Sequence, residues 1–166
     1  MSRSKKEEKD EKLYDFDIRR EFVKRNLEFF TKENTYLINE MKLNSKNIID
    51  MNFFDFNTNT IIGFEIKSER DNTKRLEGQL KTYTSFCNIV YVICHEKHLD
   101  KVQELIDSKN FSRYVGIIKV DNDLNFTEVR KGVYQKPFFD SFIRNLDCEE
   151  LASLCEDNHL VPYGTK

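Results

Sequence analysis

The sequence predicts a mixed α/β domain built on one central sheet. Three extended segments follow one another directly after an N-terminal helical stretch, the order of a sheet that begins antiparallel. Ile89-Val90-Tyr91-Val92-Ile93 is an unbroken apolar run of strand length, as expected of a strand covered on both faces. Helix-period segments flank that run on either side, the arrangement of a helical crossover between strands.

Taken in order, residues Met1 to Leu13 alternate Lys and Arg with Glu and Asp and hold almost nothing apolar, so they read as a charged, solvated arm (1–13) ahead of a single domain (14–166). From Asp17, a residue suited to N-capping, Ile18, Phe22, Val23, Leu27 and Phe30 recur at helical spacing. Thr35 to Leu43, Asn47 to Phe56 and Ile61 to Lys67 are expected strands. The turn-formers Asn57-Thr58-Asn59-Thr60 join the last two as an antiparallel hairpin. Asp71 offers an N-cap for a helix carrying Leu76, Leu80 and Tyr83. After the apolar strand, a helix from Leu99 to Lys109 leads to strands at Tyr114 to Val120 and Phe126 to Val129. Two helical stretches, Phe138 to Leu146 and Cys148 to Asp157, close the chain as a C-terminal tail, with Asp147 and Glu150 in a capping-box pattern.

Composition narrows the function classes. The 166 residues include 27 Lys and Arg against 29 Asp and Glu, a net charge of −2, which argues against a polybasic binder while leaving room for local patches of one sign. Hydrophobic residues at 39%, with 14 Phe and 7 Tyr, are enough for a sizeable core and exclude wholesale disorder. No apolar run reaches the roughly 18–20 residues of a membrane span, so no membrane partner is expected. Cys87, Cys94, Cys148 and Cys155 form no Cys-x-x-Cys pair and read as free thiols in a reducing, cytoplasmic setting.

The chemistry-bearing segment is Ile62-Gly63-Phe64-Glu65-Ile66-Lys67. Strand alternation puts Glu65 and Lys67 on one face and Ile62, Phe64 and Ile66 on the other. Glu-x-Lys is itself common in a chain with 34% charged residues, and the arm contains one at Glu7-Glu8-Lys9. The placement is what singles this one out. A two- or four-residue turn sets Phe56 against Ile61, Asn52 against Glu65 and Asp50 against Lys67, so Asp50, Glu65 and Lys67 share a face while Asp55 projects to the other. Asp50, Glu65 and the backbone carbonyl of Ile66 are hard oxygen donors suited to Mg2+ or Mn2+. Lys67 would then hold or help deprotonate an attacking water and contact a phosphate. The same three side chains would equally make an exposed Asp50–Lys67 salt bridge with Glu65 alongside, and the pattern alone does not choose.

The Asp…Glu-x-Lys arrangement in an αβββαβ order resembles the PD-(D/E)xK nuclease superfamily, with its restriction-endonuclease-like fold. More narrowly, "GFEIKSERDNTKRLEGQLKTY", followed by the apolar strand and "HEKHLDK", is similar to small bacterial and prophage proteins near the MmcB-type DNA-repair nucleases. The likeness runs from about Asp17 to His159 and takes in "RYVGIIKV" and "KPFFDSFIRNLDCEELASL". It implies Asp50 and Glu65 as metal ligands, Lys67 as the catalytic lysine, Glu40 as an upstream acid that binds or orients the metal, and Gln79 as a glutamine of the following helix. Ile49 stands at the proline of the superfamily's name. The implied function is Mg2+-dependent (or Mn2+-dependent) hydrolysis of DNA phosphodiesters in repair, recombination or a phage-related role. Many enzymes of this fold cut two strands by dimerising, so a homodimer is among the implied partners. The alternative is a module on the same fold that binds nucleic acid or protein without cleaving.

Weaker signals complete the inventory. Arg70, Lys74, Arg75 and Lys81 form a basic stripe that reads either as a solvated face or as a guide for a DNA backbone. Arg19, Arg20, Lys24 and Arg25 read the same way on the first helix. His95 and His98, three apart and without a nearby ligand cysteine, read as capping or packing residues rather than a zinc site.

Overall fold

The structure, a computed structural model, describes residues 13–43, 47–137, 149 and 152–153. The chain runs α1 (Asp15–Arg25), α2 (Leu27–Phe30), β1 (Thr35–Lys42), β2 (Ile48–Asp55), β3 (Thr60–Lys67), α3 (Leu76–Phe86), β4 (Ile89–His95), α4 (Leu99–Ser108), β5 (Val115–Val120) and β6 (Phe126–Arg130). The strands form one six-stranded sheet in the order β1-β2-β3-β4-β5-β6. β1, β2 and β3 pair antiparallel, β3, β4 and β5 pair parallel, and β6 returns antiparallel. This is the mixed α/β architecture expected from the sequence, with α3 as the crossover into the buried strand. The two expected C-terminal helices and their capping box lie almost wholly outside the described residues; Glu149, Ala152 and Ser153, which are described, are helical.

Helices cover both sides of the sheet because its strands are apolar on both faces. On one side Leu76, Leu80 and Tyr83 of α3 and Val102 and Ile106 of α4 pack on Ile49, Val90, Val92, Cys94, Val115 and Ile117. On the other, Ile18, Phe22 and Phe30 meet Met51, Phe53, Phe64, Ile66, Ile93 and Val120. Phe22 anchors that side through edge contacts, its ring 5.4 Å from Phe64 and 6.0 Å from Phe30. β3 alternates as predicted: Phe64 and Ile66 sit in the α1 layer, whereas Glu65, Lys67 and Gly63 face α3. Gly63 is required there, because a Cβ would lie 2.7 Å from Cys87 Sγ.

Three local expectations are corrected. The hairpin register is shifted by two residues: Asp55 pairs with Thr60, Phe54 with Ile61, Asn52 with Gly63 and Met51 with Phe64. The turn is Phe56 to Asn59, closed by Asp55, which accepts a 2.9 Å hydrogen bond from the Asn57 N–H. A two-residue shift keeps side chains on their faces as far as Met51, the last residue of β2 paired with β3; Asp50 lies just beyond that pairing. Next, α3 begins at Leu76 rather than after Asp71. Asp71 closes a turn instead, accepting from the Ser68 N–H at 2.8 Å and the Ser68 hydroxyl at 2.6 Å. Finally, α1 starts at Asp15, and Asp17 sits inside its first turn, accepting from the Tyr14 N–H at 3.2 Å.

Candidate active site

β2, β3 and α3 converge on one buried polar cluster. Glu65 is 1% exposed, and Lys67 is 5% exposed. Lys67 Nζ donates to Glu65 Oε1 and, at 3.2 Å, to Gln79 Oε1. Tyr83, fully buried on α3, sets its hydroxyl 2.7 Å from Glu65 Oε2 and 2.6 Å from the Ile48 carbonyl oxygen. Gln79, one turn before Tyr83, also donates weakly from Nε2 to that hydroxyl at 3.5 Å. Burial and the Glu65 carboxylate push the Tyr83 hydroxyl far above its usual pKa, so it remains a donor.

Asp50 approaches from β2. Its Oδ2 accepts the Ile66 N–H at 2.7 Å, a bond that carries the aspartate across to β3. The strand rotates at this point: Ile49 belongs to the α3-side core and Met51 to the α1-side core, although they are two residues apart. The facing residue on β1, Glu40, adopts φ 56°, a left-handed conformation uncommon for a glutamate. Burial, and then repulsion from the Glu65 carboxylate, push the Asp50 carboxyl up to about 7, against the partial relief of the Ile66 N–H.

A cleft of about 580 Å3 opens over this cluster. Asp50 and Gln79 form its floor, Glu40 stands on its rim, and Arg19, Lys74 and Arg75 supply positive charge around it. Arg19, 13% exposed, is held by Asp15 and Glu40 at 3.3 Å each. No ion pair engages Lys74 or Arg75 among the described residues. Glu65 and Lys67 lie beneath the cleft and reach it through Asp50 and Gln79.

Of the predicted site, the structure thus brings Asp50, Glu65, Lys67 and Gln79 together. Glu40 shares the cleft, but its carboxylate is 69% exposed and tied to Arg19. The main chain of Ile66 enters through its N–H, which donates to Asp50, while its side chain lies in the opposite core. Two contributors escaped the sequence reading. Tyr83 reads as a core position of α3, and Arg19 as a surface residue of α1. Only the approach of α3 to β3, and of α1 to β1, reveals their roles. His95 is held structurally: its Nε2 lies 2.9 Å from Asn122 Oδ1, and its Nδ1 accepts the Lys97 N–H at 3.3 Å.

Asp50 and Glu65 supply hard carboxylate oxygens, and their crowded negative charge is what a divalent cation would relieve. Among the described residues, no three His, Cys, Asp or Glu side chains converge into a metal-holding group. A divalent ion held by Asp50 and Glu65 would have two carboxylate ligands and would keep most of its water.

The fold and site together define a class: a mixed α/β domain with a buried acid–lysine pair beneath a cation-rimmed cleft. The chain belongs to the bacteriophage P4 protein cII family, whose model matches residues 8–165. It is 38% identical over 73 residues to protein cII of Enterobacteria phage P4, a match covering 44% of this chain and 25% of that protein. The chain thus aligns with about a quarter of that relative's length. A solved structure of a protein of unknown function from Silicibacter pomeroyi shares the fold, with a TM-score of 0.54 over 89% of this chain and 90% of the other, at 12% identity.

Proposed function

We propose that the chain is a metal-dependent nuclease of PD-(D/E)xK type that hydrolyses DNA phosphodiester bonds in a phage-related setting. The observation that carries this reading is the juxtaposition of Asp50, Glu65, Lys67 and Gln79 under a cleft whose rim bears Arg19, Lys74 and Arg75. Arg19, Lys74 and Arg75 hold the phosphate backbone. Asp50 and Glu65 hold Mg2+ or Mn2+, which when bound supplies an acidified water and charge neutralisation at the phosphate. Lys67, positioned by Gln79, turns its ammonium from Glu65 toward the attacked phosphate and the nucleophilic water. Tyr83 keeps Glu65 oriented through its hydroxyl. The buried free thiols Cys87 and Cys94 suit a reducing cytoplasm.

Cleavage of plasmid and oligonucleotide DNA with and without Mg2+ tests the assignment. Wild type should cut only with metal, and Asp50→Ala and Lys67→Ala should not; equal activity in all three refutes it. A second reading, a DNA-binding module that does not cleave, is favoured by one observation: Lys67 and Glu65 are closed on each other. Under that reading DNA binds at the cleft, but Mn2+ gives no thermal shift.

A further inference from the structure

We infer that a single strand of DNA leaves the active-site cleft along the outer face of α3 and enters a second cleft at the far end of that helix. This inference rests on the nucleic-acid reading of the first cleft. The second cleft, of about 350 Å3, is lined by Lys81, Lys109 and Lys136 together with the rings of Phe111 and Tyr114, and among the described residues no acidic one lines it. Lys81 and Lys109 share one partner, Glu77, at 2.7 and 3.4 Å, so the group keeps an excess of positive charge. Cations beside an aromatic ring, 38% exposed at Tyr114, are the chemistry that tracks phosphates and stacks an unpaired base.

The surface between the two clefts favours a close-lying chain. Arg75 and Gly78 line the first cleft and Lys81 and Ser85 the second, all four on one helical face at spacings of three, three and four, so the two clefts adjoin along α3. Six residues of helix separate Arg75 from Lys81, about 9 Å of rise. Gly78 is unexplained by packing, since a Cβ built on it would meet nothing within 4 Å. A helix-weakening glycine that nothing buries leaves the helix surface flat where a nucleotide backbone would cross it.

Binding of a fluorescently labelled oligothymidylate to the full chain, without divalent metal and across a salt series, tests the track independently of cleavage. Tyr114→Ala should weaken binding about tenfold. Lys136→Ala should lower the salt slope by about 0.7. Gly78→Ala should raise the melting temperature yet weaken binding several-fold. Affinities within twofold of wild type for all three variants, with loss on Arg75→Ala, would overturn the track and leave the first cleft intact. Wild type that binds no oligonucleotide would also overturn the track, and the nuclease reading falls with it only if that protein also fails to cut plasmid DNA with Mg2+.

Discussion

Asp50 behaves differently from an ordinary aspartate. Its carboxyl, raised to about 7, keeps a proton in the native state at a pH where the unfolded chain, with an ordinary value near 4, has released it. In metal-free protein the native state therefore binds more protons between about pH 4 and 7, and stability falls as pH rises through that window. Asp50→Asn, which can still accept the Ile66 N–H, should abolish this dependence and be more stable than wild type above pH 7, by up to a few kcal/mol. Urea denaturation at pH 4.5 and 8 measures it. Lys67→Ala acts oppositely, leaving the Glu65 carboxylate buried without its cation. Loss of one partner from a buried pair costs about 3–5 kcal/mol, and the urea midpoint should fall accordingly. Glu65 and Lys67 were legible because strand parity survives a two-residue error in register. Asp50 joins them by another route, since β2 rotates between Ile49 and Met51 and parity does not carry across that rotation. The left-handed backbone at Glu40 was not legible, since no local signal marks a glutamate for φ 56°.

Between elements, the site depends on how closely α3 lies on β3. Gly63 permits that approach, and Gly63→Ala would set a Cβ 2.7 Å from Cys87 Sγ. Relief requires α3 or β3 to shift, at a cost of about 1–3 kcal/mol, read as a lowered melting temperature. Tyr83→Phe tests the same junction from the helix side. It removes the donor shared by Glu65 Oε2 and the Ile48 carbonyl, and should cost about 1–3 kcal/mol. Cleavage should fall with it, because Glu65 loses its orienting bond. Element identity came readily from the sequence, since the apolar period of α3 and the unbroken run of β4 reflect burial on one and two faces. Element starts did not. Asp71 has the chemistry of an N-cap but spends its carboxylate on Ser68, a choice set by the turn geometry between β3 and α3.

Across the whole molecule, charge is nearly balanced at −2, yet it is unevenly distributed. Arg19, Lys74 and Arg75 ring one cleft, and three lysines line another. Binding of DNA should therefore weaken steeply with salt despite the slightly acidic chain. The change from an antiparallel first half to a helical crossover followed from the succession of elements; the strand order did not. The clefts did not, because the first arises where α1, β1, β2 and α3 meet and the second where α3 meets the segments around Asn110 and Gln135, all distant in sequence. The central claim is that Asp50 and Glu65 together hold the ion that supports phosphodiester hydrolysis. The most direct test is the Mg2+-dependent cleavage rate of Asp50→Asn beside wild type, with both proteins shown folded by thermal melting. The account predicts a variant at least as stable as wild type at pH 8 whose rate is lower by about a hundredfold or more. A rate equal to wild type, in a folded variant lacking that carboxylate, would contradict it.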